Sequence, residues 1–176
     1  FAPEAVVLLD VETGRFLDVN PLAEQMFGIS RQELLQVGPF ELSPPLQPGG
    51  PSPKLGREQI ERAAAGETPV FEWWHCNARG ERFPTEIRLV KICWNDREVV
   101  RGTIVDISAH KQIELSERGR SRVLESVARG APLPEVLAIL TGTLEEFLPE
   151  MLCSVLLLDA KTRTLHLGAA PSLPDF

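Results

Sequence analysis

Residues 71–112, FEWWHCNARGERFPTEIRLVKICWNDREVVRGTIVDISAHKQ, decide the fold. Phe71, Trp73 and His75 alternate with Glu72, Trp74 and Cys76, the two-residue period of a strand that turns one face to a core. Asn77-Ala78-Arg79-Gly80 supplies turn chemistry, so Phe83 to Leu89 is predicted to fold back as the second strand of a hairpin. A further turn over Trp94-Asn95-Asp96-Arg97 returns the chain through Val99 to Val105, with Val100, Gly102 and Ile104 on one face and Arg101 and Thr103 on the other. The pattern predicts three antiparallel strands with one dry face, running straight into a helix.

Upstream, Val6 to Leu9 and Arg15 to Val19 read as short strands across a turn at Asp10 to Gly14. Asn20 is suited to cap a helix whose first residue is Pro21, and Leu22, Met26 and Phe27 then face one way. Ser30-Arg31-Gln32-Glu33 has the form of a capping box and predicts a second, short helix. Pro39, Pro44, Pro45, Pro48, Pro51 and Pro53, with Gly49-Gly50 among them, remove backbone donors and predict a loop. Helical character resumes over Leu55 to Ala65 and ends at Gly66, a left-handed cap.

From Gly102 the string GTIVDISAHKQIE closely resembles the closing motif of the PAS family, whose last strand ends in Asp-Ile-Thr or Asp-Ile-Ser and opens an outgoing signalling helix. The residues here are Asp106-Ile107-Ser108. LLDVETGRFLDVNPLAEQMFGISRQELL resembles the PAS opening, a hairpin followed by an Asn-Pro helix start, a glycine and a second helix. The resemblance covers roughly residues 5–111 and implies an α+β fold, a five-stranded antiparallel sheet with helices on one face that hold a ligand or cofactor. It places the PAS unit at 1–108 and makes Asp106 and Ser108 the signal-transmitting residues.

Strand alternation sets the expected pocket. Phe71, Trp73, Ile87, Leu89, Val100 and Ile104 should point to the helix side, with Ile60 and Ala64 opposite and Gly102 leaving room; Asn20 and Met26 complete the expected set. A one-residue slip would instead bury Trp74 and Arg88. By the resemblance, residues 55–65 form the helix that lines the pocket. Its GREQIERAAAG holds no His, Met or Cys as an axial ligand, which disfavours haem. A light-oxygen-voltage flavin domain needs a reactive cysteine in a Gly-Arg-Asn-Cys-like motif ahead of that helix, where this chain has proline and glycine. Non-covalent flavin stays open, with Trp73, Trp74 and Asn20 bordering the ring.

With 43% hydrophobic and 24% charged residues and a net charge of -7 over 176 residues, the composition predicts a cytoplasmic protein and disfavours nucleic acid as partner. Cys76, Cys93 and Cys153 form neither an even disulfide set nor a Cys-x-x-Cys pair and read as reduced thiols. No stretch reaches membrane-span length. The start at Phe1 without Met suggests a piece of a longer protein. Glu145, Glu146 and Glu150 read as surface charge, and His110 lacks the context of a kinase histidine box. No phosphate loop, catalytic triad or nucleophile elbow is present, so no catalytic residue is expected.

Residues 109–130 predict an outgoing helix in which Ile113, Leu115, Val123, Leu124 and Val127 form an imperfect seam and Gly119 a weak point. In the PAS family this helix usually pairs with its copy, which implies a homodimer. A flexible linker is the alternative. Over 131–176, Pro134 opens a helix carrying Val136, Leu137, Leu140, Leu144, Phe147 and Leu148, followed by strands at Cys153 to Leu158 and Thr164 to Ala169. That text resembles the opening of a GAF domain, a sensory relative of PAS, of which it covers only the beginning. PAS, outgoing helix and GAF start together resemble the input half of a bacterial signalling protein with a diguanylate cyclase, cyclic-di-GMP phosphodiesterase or histidine kinase output. Three functions follow: a sensory module with a small ligand or none, a flavin-based redox or light sensor, and a structural dimerisation unit whose pocket its own side chains fill.

Overall fold

The computed structural model describes residues 4–147 and 152–173. Phe1, Leu148 and Glu150, and the side chain of Phe147, lie outside the described residues. The chain divides into two compact units, Phe1–Ser108 and Ala109–Phe176.

The first unit runs β1 (Ala5–Leu9), β2 (Phe16–Val19), α1 (Pro21–Phe27), α2 (Arg31–Leu34), β3 (Leu46–Gln47), β4 (Gly50–Pro51), α3 (Ser52–Ala64), β5 (Val70–Cys76), β6 (Arg82–Trp94) and β7 (Arg97–Asp106). Five strands make one antiparallel sheet in the order β2-β1-β7-β6-β5, so the first strand lies beside the last. This is the α+β fold that the alternation and the motifs imply. Asn95 and Asp96, with φ of 50° and 57°, form the tight β6–β7 turn, since both residues tolerate the left-handed conformation. β6 and β7 extend beyond the strand lengths expected from sequence and pair from Thr85 opposite Asp106 to Trp94 opposite Arg97.

The register is the expected one. Trp73 is 6% exposed and Trp74 38%, Ile87 is buried and Arg88 exposed. The inner face joins Val7, Phe16, Phe27, Leu34, Trp73, Leu89, Val100 and Ile104 in one core. Local chemistry holds the helices as the sequence indicates. Ser30 and Glu33 form the reciprocal capping box of α2. After α3, Gly66 at φ 98° lets its own N–H reach Ala63 O and the Glu67 N–H reach Arg62 O, the paired bonds of a left-handed stop.

Two boundaries differ from expectation. α3 begins at Ser52, not Leu55, because a proline in the first helical turn lacks only an N–H that has no helical partner there. The proline-rich stretch is also more ordered than a plain loop. β3 and β4 pair across Pro48-Gly49, and the side-chain amide of Gln47 accepts from Trp74 N at 2.8 Å and donates to Trp74 O at 2.9 Å. Gln47 thus takes the place of a neighbouring strand along β5, and Cys76 N donates to Leu42 O at 2.8 Å further along. An open sheet edge is thereby covered.

The second unit carries most of α4 (Ser108–Ala128), then α5 (Leu133–Phe147), β8 (Val155–Asp159) and β9 (Thr164–Ala169), the last two a hairpin. Gly119, expected to weaken α4, is buried where a side chain would run into Thr143 of α5. Its missing Cβ permits close helix packing, reinforced by Arg122 and Glu146 at 3.2 Å. On the hairpin, Leu156 pairs with Leu167 and Leu158 with Leu165, and all four are exposed, by 55% to 66%.

Candidate functional site

Between the inner face of the sheet, α3 and the start of the proline-rich segment lies a cavity of about 50 Å³. β1 contributes Val7 and Leu9, β2 Phe16, the segment Pro39 and Phe40, and α3 Gly56 and Ile60; Phe71, Trp73, His75, Ile87, Leu89, Gly102 and Ile104 come from β5, β6 and β7. Small residues open it. A Cβ on Gly102 would sit 2.9 Å from Val7 Cγ2, and one on Gly56 would sit 3.4 Å from the Trp73 ring while colliding with Phe40.

The strand and helix alternation therefore brings Ile60, Phe71, Trp73, Ile87, Leu89, Gly102 and Ile104 together as expected. The other expected pocket residues lie elsewhere. Asn20 is the cap of α1: its Oδ1 accepts from Ala23 N and Val6 N, both at 3.0 Å, which ties the helix start to β1. Met26 faces an open groove with Leu22, Gln25, Phe83 and Asp106, because on α1 Ala23 and Phe27 take the buried face. On α3 it is Ala63 that turns into the core; Ala64, one residue and 100° further round, lines an outer groove with Asp10, Lys91 and Glu98. Val100 is fully buried on the correct face, opposite Leu9, and borders that outer groove.

His75 was not anticipated as a wall residue, although the same alternation that places Trp73 also places it. The ring is 2% exposed. Thr85 Oγ1 lies 3.0 Å from Trp73 O, to which it can donate, and 2.9 Å from the imidazole Nδ1. With the Thr85 proton on Trp73 O, Nδ1 carries the ring hydrogen and Nε2 is the acceptor; the other tautomer reverses both roles. Burial among apolar groups pushes the pKa of His75 down to about 3, so the ring is neutral at physiological pH. Phe27 meets it edge-on at a centroid distance of 5.2 Å. The other polar atom on the wall, Trp73 Nε1, donates to Ser43 Oγ at 2.8 Å.

The site does not fit an isoalloxazine. Trp74 lies on the opposite face of the strand from Trp73, Asn20 is engaged as a cap, and about 50 Å³ is far below the ~300 Å³ at which pockets for such ligands begin. A haem meets the same limit of volume. At the far end of β7, two residues beyond Ile104, the Asp106 carboxylate accepts from Ser108 N at 2.8 Å, at the first residue of α4. His110 is an exposed helix residue, 3.4 Å from Glu114 one turn on. Glu145 accepts from Cys153 N and Ser172 Oγ, bonds that hold its carboxyl below the usual range with the Ser172 bond the larger cause. Among the described residues no group of His, Cys, Asp and Glu is placed to hold a metal, and no helix is long and apolar enough to cross a membrane.

Comparison with known proteins agrees with this architecture. The PAS domain family matches residues 3–109, well over half of the chain, and the chain belongs to that family. It is 45% identical over 74 residues to the methyl sulfide methyltransferase-associated sensor of Methanosarcina acetivorans; that match takes in 42% of this chain and 7% of the relative's length. Among solved structures, a PAS domain from Colwellia psychrerythraea is 19% identical with a TM-score of 0.51, over 60% of this chain and 87% of that one. The blue-light activated histidine kinase of Erythrobacter litoralis is 18% identical with a TM-score of 0.51, over 75% of this chain and 44% of that one. At these identities the likeness is one of fold.

Proposed function

We propose that this chain is the sensory input module of a signal-transduction protein, in which occupancy of the inner cavity changes how the Asp106–Ser108 junction holds the outgoing helix. One observation carries the reading. β7 supplies two walls of the cavity, Gly102 and Ile104, and ends at Asp106, whose carboxylate holds the first helical N–H of α4. A displacement of β7 by an occupant therefore acts on the helix start across the two residues from Ile104 to Asp106. The protein has no catalytic role in this reading; it binds and relays.

Two elements extend it. Residues 131–176 form the opening of a second sensory domain of the GAF type, and α4 pairs with a second copy through Ile113, Leu124 and Val127, which are exposed along the helix. A bacterial cytoplasmic setting and a cyclase, phosphodiesterase or kinase output complete the scheme. Asp106→Ala tests the core of it: the PAS unit should keep its fold and its cavity while amide exchange across Ser108 to Gln112 accelerates. Exchange that stays the same in this variant would show that Asp106 does not hold the helix start. Light scattering over a dilution series tests the pairing; a monomer at every concentration would leave α4 as a linker.

The narrowness of the cavity favours one competing reading, a structural unit whose core is closed by its own side chains. Mass spectrometry of the supernatant from denatured protein separates the two, since a released compound in stoichiometric amount supports the sensor. An absorbance spectrum with flavin bands would overturn both.

A further inference from the structure

The side chains lining the cavity are aliphatic or aromatic, and the polar ring atoms among them belong to Trp73 and His75. Trp73 Nε1 donates to Ser43 Oγ, and His75, which lines the cavity, has Nδ1 2.9 Å from Thr85 Oγ1; with the Thr85 proton on Trp73 O, the ring's acceptor is Nε2. A histidine is an expensive choice for packing alone. Phenylalanine has nearly the same shape, would meet Phe27 as well, and would avoid burying two ring nitrogens. The volume of about 50 Å³ exceeds the ~10–15 Å³ that one water requires and falls short of any drug-sized ligand. No charged side chain borders the space, so an ionic occupant would lose its hydration with nothing in exchange.

We propose that the cavity takes a small uncharged ligand with one hydrogen-bond donor, of the short-chain alcohol class, whose hydroxyl sits on His75 Nε2 while its apolar end lies toward Ile87, Leu89 and the bare Cα of Gly102. This rests on the cavity being the sensory site. The lack of a second polar partner makes the donor the selecting group: a molecule of equal size that can only accept would face an acceptor with an acceptor and lose the bond.

Ethanol and dimethyl ether contain the same atoms, and only ethanol donates. With the full 176-residue chain labelled with ¹⁵N, the His75 ring nitrogens can be followed by long-range ¹H–¹⁵N correlation and the cavity by the methyl groups of Ile87 and Leu89. Ethanol should shift the Nε2 resonance and the methyl groups to saturation, and dimethyl ether should need about tenfold higher concentration, the equivalent of one modest hydrogen bond. His75→Phe should remove the preference while both probes still reach the cavity. Should that variant not fold, His75→Gln, which keeps an acceptor, should retain part of the preference. Equal affinity for the two probes, the absence of a saturable shift with either, or a bound water on Nε2 that ethanol does not displace would each overturn the assignment. Equal affinity overturns the ligand chemistry alone. The sensory reading fails separately, when cavity binding leaves the amides of Ser108 to Gln112 unmoved.

Discussion

The five-stranded sheet and the β8–β9 hairpin carry the same sequence pattern with opposite outcomes. In both, large apolar residues occupy every second position, on one face, of antiparallel strands, although in β8 Val155 to Leu158 are all apolar. In the sheet, Trp73, Ile87, Leu89 and Ile104 are buried under α3 and the proline-rich segment; in the hairpin, Leu156, Leu158, Leu165 and Leu167 stand exposed while the other face meets α5. Alternation specifies which side chains share a face. What covers that face depends on helices supplied from elsewhere in the chain, and β8 and β9 form only a two-stranded sheet.

The largest consequence is on stability. Trp73→Ala should cost about 3–5 kcal/mol, and Ile87→Ala or Leu89→Ala about 2–5 kcal/mol, in denaturant unfolding followed on the first unit. If Leu165→Ala proved equally costly, the hairpin leucines would be covered in solution and the comparison would break.

The next effect separates the regions by pH. His75 is buried neutral with its pKa pushed below the ordinary value of 6.5 to about 3, so the unfolded chain binds a proton that the folded chain does not. Its contribution is intact above pH 6.5 and is lost as pH falls toward 3, by up to about 1.4 kcal/mol for each pH unit. Thermal unfolding between pH 7 and pH 5 should show the slope for the first unit and lose it in His75→Phe, a window above the range in which carboxylates titrate. A slope that survives the substitution would assign it to another group.

Asp106→Ala should remove about 1 kcal/mol, the ordinary worth of a helix cap, with most of the effect at the start of α4. Smallest of all, Leu165→Ser should change unfolding by less than ~0.5 kcal/mol, the ordinary range for exposed positions, and should reduce self-association if the leucine face meets a second copy.

Residues 71–106 were the most legible part of the chain, because a strand's period of two assigns every side chain once a single tryptophan is placed. His75 obeyed the same rule and was passed over as a mere strand residue; its contact with Thr85 on the neighbouring strand appears only once the hairpin is folded. Met26 and Ala64 misled because a helix turns 100° per residue, and one position separates these half-buried side chains from the buried Phe27 and Ala63. The proline-rich segment was illegible for another reason. Its order comes from Gln47 bonding to Trp74 and Leu42 to Cys76, contacts no local pattern encodes.

Coupling between cavity and helix is tested most directly by amide hydrogen exchange across Ser108 to Gln112 in the wild type, Ile87→Val, Asp106→Ala and the double variant. Ile87 lies opposite Ile104 in the sheet and touches the cavity without touching the junction, and its loss of one methylene costs only about 0.5–1.5 kcal/mol. The account predicts that Ile87→Val alters exchange at these amides beyond its effect on global stability, and that the alteration disappears when Asp106 is also replaced. Exchange at Ser108 to Gln112 that follows global stability alone, with the same Ile87→Val effect whether or not Asp106 is present, would contradict it.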